Sequence, residues 1–241
     1  MDDKARISEI KEAPPAAPAQ LKLLTLEEIR RDPEVEAFIA KADAYTAAIG
    51  YTEHGFRHAN LVASIAMNIL KRLGYEERQT QLAAIAGYLH DIGNVVGRIN
   101  HEHTGALLAG RILERLGMDP AERAIVMGAI GNHEEDTGDP VSPVGAAVIL
   151  ADKSDVHRTR VRNPDPTTFD IHDRVNYAVE HSFLRVDEIA RAITLELAIN
   201  TEISKVMEYF EIFLSRMVMC RRAAQFLGCD FKLQINGVKL L

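Results

Sequence analysis

Five successive segments with helical spacing each carry a histidine or an aspartate on their apolar face. His58 lies three residues before Leu61 and four before Val62, His90 four after Ala86, His103 four before Leu107, His133 four after Ala129, and Asp152 four after Val148. Side chains three or four apart share a helix face, so each of these groups is aimed where its helix buries apolar surface. Asp91 sits directly beside His90. A single buried histidine finds a hydrogen-bond partner at little cost. Several buried ionisable groups without partners cost several kcal/mol each. A fold that brings these segments together must therefore compensate them jointly, and one or two divalent cations would do so.

The segments around these residues describe a mainly helical chain. "EAPPAAPAQ" is a proline- and alanine-rich lead-in, and residues 1–20 are expected to be flexible. A helix opened by Pro33 and closed by Gly50 follows a shorter one. "FRHANLVASIAMNILKRLG", "EERQTQLAAIAGYLHDIG", "HTGALLAGRILERLG", "DPAERAIVMGAIGNH" and "SPVGAAVILADKSDVHR" supply the next five, with Pro120 and Pro143 at first-turn positions and Ser142 as a cap. "DIHDRVNYAVEHS" closes the helical block, giving an expected all-helical domain over residues 21–181. The pattern then changes. Two β-prone stretches in "FLRVDEIARAITLELAIN", a long amphipathic helix, and "FKLQI" followed by Asn236-Gly237 predict a small α+β unit of ββαβ type over residues 182–241. Its strand near "FKLQI" is expected to be an exposed edge through which two copies could form a homodimer.

The bulk composition narrows the function classes. No apolar run approaches the roughly 20 residues a bilayer span needs. "MDDKARISEI" is acidic without an apolar centre, so no signal peptide is expected and the expected compartment is the cytoplasm. A net charge of -7 disfavours stable nucleic-acid binding. Cys220 and Cys229 are the only cysteines, too few for a disulfide framework, and buried reduced thiols are expected.

Imidazole nitrogen and carboxylate oxygen suit Fe, Mn, Co, Ni or Zn, and the absence of cysteine from the set disfavours a structural zinc cluster. Four histidines and two aspartates can hold two metals bridged by one carboxylate and leave positions open for water, which is the arrangement of a catalytic site. In order along the chain, His58, His90-Asp91 and Asp152 resemble the H…HD…D pattern of the HD superfamily of metal-dependent phosphohydrolases. His103 and His133 fall where the two-metal branch adds two histidines. His101 stands as the substitute for His103 should the helix start earlier than "HTG". The resemblance spans roughly residues 50–160. It implies His58, His90, Asp91, His103, His133 and Asp152 as metal ligands, with Asp91 bridging and orienting the nucleophile. His54, one turn before His58, corresponds either to the general acid of cyclic-nucleotide phosphodiesterases in that superfamily or to a surface histidine at a helix start. The Gly-Tyr-Pro motif of the cyclic-di-GMP-cleaving branch is absent: "NHEEDTGDPVSP" keeps only Gly138 and Pro140.

Lys153, Arg158, Arg160 and Arg162 form a basic run in an acidic chain. Beside a metal site they read as a phosphate clamp; alone, as cations favourably placed at a helix end. The substrate implied is a nucleotide or another small phosphorylated compound, cleaved at a phosphoester or phosphoanhydride. The same ligand pattern also serves di-iron oxygenases related to inositol oxygenase. A third reading is a sensor that binds a nucleotide without turnover.

Overall fold

The computed structural model describes residues 22–240, so the expected flexible lead-in lies outside the described residues. The chain opens with α1 (Leu26–Arg30) and α2 (Pro33–Ala48). Thr25 and Glu28 form a reciprocal capping box on α1, and Asp32 caps α2 ahead of Pro33. The central bundle is α3 (Phe56–Arg72), α4 (Glu77–Leu89), α5 (His101–Arg115), α6 (Pro120–Gly131) and α7 (Pro143–Lys153). Asp119 and Ser142 cap α6 and α7 through their side chains, each with proline at the first position. Helix α7 has no exposed face beyond its first residue: all of its residues from Val144 to Lys153 are buried. It is the central rod, packed by α3, α4, α6 and, from the C-terminal unit, α9 (Val206–Phe226).

The α+β unit follows the predicted order with shifted boundaries. The helix over "DIHDRVNYAVEHS" is shorter than expected: α8 (Ile171–Ala178) stops at Ala178, and β1 (Val179–Asp187) begins at once. β2 (Ala192–Ile199) pairs antiparallel with β1. Helix α9 then crosses over, and β3 (Asp230–Ile235) returns parallel to β2. Asn236 and Gly237 turn the chain with positive φ into β4 (Val238–Lys239). The sheet order is β1-β2-β3-β4. The expectation of an exposed edge at "FKLQI" is therefore corrected: β3 pairs on both sides, and the edges are β1 and the two-residue β4. Cys220 and Cys229 are buried and unpaired in a disulfide. No helix among the described residues is long and apolar enough to cross a membrane.

One close approach sets the entry of α5. A 3-10 turn, Ile92–Val95, follows Asp91, and its Gly93 lies against the start of α5. A Cβ on Gly93 would fall 1.9 Å from the His101 carbonyl oxygen and 2.5 Å from the Gly105 amide nitrogen. Both are backbone atoms with no freedom to yield. Asn100 takes a left-handed conformation (φ 57) to start the helix there, one of the few residue types that does so readily. Gly93→Ala is expected to destabilise the protein by roughly 3 kcal/mol or more, as severe overpacking does. Urea unfolding against wild type measures this; a loss within error would mean that α5 can move away without cost.

Candidate metal centre and adjoining cavity

Each of four helix ends delivers one imidazole to the same point. His58 comes from the first turn of α3, His90 from the C-cap of α4, His101 from the first residue of α5, and His133 from just beyond α6. All four are buried. Their Nδ1 atoms are already committed. His90 Nδ1 donates to the Gly87 carbonyl at 2.8 Å, His101 Nδ1 to the Arg98 carbonyl at 3.1 Å, and His133 Nδ1 to the Ile130 carbonyl at 2.7 Å. A carbonyl only accepts, so each ring carries its proton on Nδ1. His58 Nδ1 donates to Asp155 Oδ2 at 2.7 Å. Burial pushes the Asp155 carboxyl up, but Arg160, His58 and Arg57 outweigh it and hold it far below the usual carboxylate range. With every Nδ1 donating, every Nε2 of a neutral ring presents a lone pair to the centre.

Those Nε2 atoms converge in two pairs. His58 and His90 Nε2 lie 3.2 Å apart, and so do His101 and His133 Nε2. Asp91 stands between the two pairs. Its Oδ2 is 3.5 Å from His58 Nε2 and 3.3 Å from His90 Nε2, while its Oδ1 is 3.2 Å from His101 Nε2 and 4.0 Å from His133 Nε2. Asp152 Oδ1 faces the first pair at 3.3 and 3.6 Å. Glu134 Oε2 faces the second at 3.6 and 3.9 Å. The donor set thus divides into His58, His90, Asp91 and Asp152 on one side and His101, His133, Asp91 and Glu134 on the other. Nitrogen lone pairs and carboxylates packed this closely require positive charge. Burial opposes a proton on His90, yet Asp91 and Asp152 draw one and push its pKa up to about 10. Burial also pushes the Glu134 carboxyl up, Lys153 offsetting this only in part. The chemistry of this set fits divalent transition metals of the N,O-binding kind.

The structure brings together five of the six expected ligands and corrects the sixth. His103 points to solvent with 60% of its side chain exposed, and its place is taken by His101. Helix α5 starts at His101 and buries His101, Gly105, Ala109 and Ile112 along one face, whereas Leu107, the residue that aligned His103 with a supposed core face, is 67% exposed. Small residues, not bulky ones, mark the inward face here. Glu134 escaped the sequence reading, although His133-Glu134 repeats the histidine–carboxylate doublet of His90-Asp91.

The expected clamp is also redistributed. Lys153 is buried and binds Asp152 Oδ2 at 2.8 Å, with Glu135 on its other side, so it orients a ligand and leaves Asp152 Oδ1 for the centre. Arg158 pairs with Glu180 and lies over Tyr177. Arg162 pairs with Asp43. Arg160 is buried, and its donors go to the Glu53 and Asp155 carbonyls. Of the run, only Arg160 reaches the cavity of about 360 Å³ that opens beside the cluster, which it lines together with Tyr51, His54, Arg98, Phe213 and Arg216. Arg98 sends one terminal nitrogen to within 3.0 Å of His101 Nε2 and the other to 3.7 Å from Glu134. His54 is buried, and its Nδ1 donates to the Thr52 carbonyl at 2.6 Å. Desolvation and the charge of Arg160 hold its pKa well below the ordinary histidine value, so the ring is neutral and its Nε2 is an acceptor. The expected proton donor is thus an acceptor until an anion beside it raises its basicity.

Asp155→Asn removes the charge that orients His58 without removing the acceptor. A tenfold to hundredfold loss of metal affinity is expected, as for other carboxylate–histidine–metal relays. Competition against a chromophoric chelator reads it; unchanged affinity would show that His58 is oriented without Asp155.

Residues 55–156 match the family model of the HD domain, a span that contains all seven converging side chains. An uncharacterized protein of Methanocaldococcus jannaschii is 27% identical over 199 residues, covering 73% of this chain and 76% of the relative. The crystal structure of a predicted HD superfamily hydrolase from an uncultured Thermotogales bacterium is 27% identical, covers 56% of this chain and 75% of its own, and superposes with a TM-score of 0.42.

Proposed function

The chain belongs to the HD superfamily of metal-dependent phosphohydrolases, and from that premise we propose that it hydrolyses a phosphoester or phosphoanhydride of a nucleotide or a similarly small phosphorylated substrate. The observation that carries this reading is the division of Asp91, whose two oxygens face different histidine pairs. That is the disposition of a carboxylate shared by two cations. When bound, such cations supply Lewis acidity toward a phosphoryl oxygen and a water of lowered pKa.

The residues of the chain do the remaining work. Asp91 and Asp152 hold their places because Asn94 donates to Asp91 Oδ1 at 3.1 Å and Lys153 to Asp152 Oδ2. Asp91 lies at the junction of the two halves and orients the attacking water. Arg98, beside His101 and Glu134, neutralises charge on the second half and faces the cavity. Tyr51 and Phe213 give that cavity ring surfaces suited to the organic part of a substrate. His54 Nε2 receives a proton as an anionic substrate settles and returns it to the departing oxygen.

Phosphate release from a panel of nucleotides, cyclic nucleotides, dinucleotides and simple phosphate esters tests the reading, with Mn, Co, Ni or Fe supplied in turn. Metal-dependent turnover is expected on at least one class. Asp91→Ala is expected to lower it by roughly a thousandfold, the equivalent of several kcal/mol of lost charge stabilisation. A fully metallated protein inert across the panel would contradict it.

A further inference from the structure

We infer that Arg216, carried by α9 of the C-terminal unit, is the receptor for the substrate's phosphoryl oxygens, so that the appended unit completes the active-site cavity; this rests on the phosphohydrolase reading. Arg216 lies outside the HD domain match yet lines the cavity beside the cluster. Its guanidinium is fixed on two sides. Nε donates to Glu135 Oε1 at 3.1 Å, and the guanidinium carbon stands 4.7 Å from the centre of the Phe213 ring. Its two terminal nitrogens have no hydrogen-bond partner among the described residues. Glu135 in turn binds Lys153, which binds Asp152. A continuous chain of charges therefore ties this fork to a ligand of the metal cluster. Glu135, Asp152 and Glu134 hold the Arg216 charge in place against its burial.

The other cations near the cavity are used differently. Arg160 spends its donors on backbone carbonyls, and Arg98 is turned toward His101 and Glu134. Among the described residues of the cavity, only Arg216 presents a rigid pair of free donors, the geometry that matches two oxygens of a phosphoryl group. The lining also carries the exposed Asp170 and the half-buried Asp173, and neither has a cation within ion-pair distance among the described residues. These carboxylates repel anions. The phosphoryl group therefore sits on Arg216 and the organic part faces the aspartates, which selects a phosphate monoester with a neutral or donor-bearing organic part over a polyphosphate chain.

Calorimetric titration of inorganic phosphate into metal-loaded wild type, R216A and R216K, with metal content measured on each, tests the assignment. R216A is expected to keep its metal and to bind phosphate roughly tenfold to a hundredfold more weakly, the range of a lost charge-assisted contact. R216K should recover part of the loss. Inorganic triphosphate should bind wild type no more tightly than phosphate. Wild-type affinity in R216A would overturn the inference, as would loss of metal from R216A. Much tighter triphosphate binding would overturn the orientation. Metal-loaded wild type that binds no phosphate at millimolar concentration would instead remove the phosphohydrolase reading itself, and this inference with it.

Discussion

Four imidazole rings that each donate from Nδ1 to a carbonyl or carboxylate leave four Nε2 atoms facing one another around Asp91. Nitrogens paired at 3.2 Å beside carboxylates draw positive charge to the centre. Asp91 and Asp152 push the pKa of His90 up to about 10, and Arg98 turns one terminal nitrogen to His101 Nε2. The fold holds the centre together from outside: α4 and α6 supply the Gly87 and Ile130 carbonyls one turn back that lock His90 and His133, and the segment before α5 supplies the Arg98 carbonyl for His101. Asp155 does the same for His58 from the end of α7. A protein that invests in locking donors in this way is built to receive a cation at the point where they meet.

Much of this was legible in the sequence because helical periodicity and buried polarity are independent signals that agree. His58, His90, His133 and Asp152 lie three or four residues from apolar neighbours, and their helices pack those faces inward. The helix boundaries marked by Pro33, Pro120, Pro143 and the Ser142 cap appear where the chain chemistry placed them. The error at His103 has a clear origin. Leu107 aligns with His103, but the contact between Gly93 and Gly105 is a backbone-to-backbone approach that only small residues allow. The inward face in the first half of α5 is therefore its glycine and alanine face, and Leu107 points to water. Asn100, in a left-handed conformation, begins the helix two residues earlier than a capping rule suggests.

The basic run failed as a clamp for a different reason. Linear proximity to Asp152 said nothing about what each cation would meet. Lys153, Arg158, Arg160 and Arg162 all found acidic or carbonyl partners supplied by distant segments, from Asp43 to Glu180. Of the arginines that line the cavity, Arg98 follows soon after His90-Asp91, whereas Arg216 sits far from the motif in sequence. The C-terminal unit packs α9 against α7 and so brings Arg216 and Phe213 into the cavity beside the cluster. Long-range packing of this kind leaves no local pattern to read, whereas the strand and hairpin signals of the same unit were plain.

The central claim is that Asp91 is shared by two metal ions, the second of which depends on His101 and not on His103. Elemental analysis of protein purified without chelator or nickel resin tests it most directly, on wild type, His101→Ala and His103→Ala. The account predicts about two metal ions per chain in wild type and in His103→Ala, and about one in His101→Ala, as expected for a two-metal site losing a ligand of one half. Equal metal content in all three proteins, or a loss confined to His103→Ala, would contradict it.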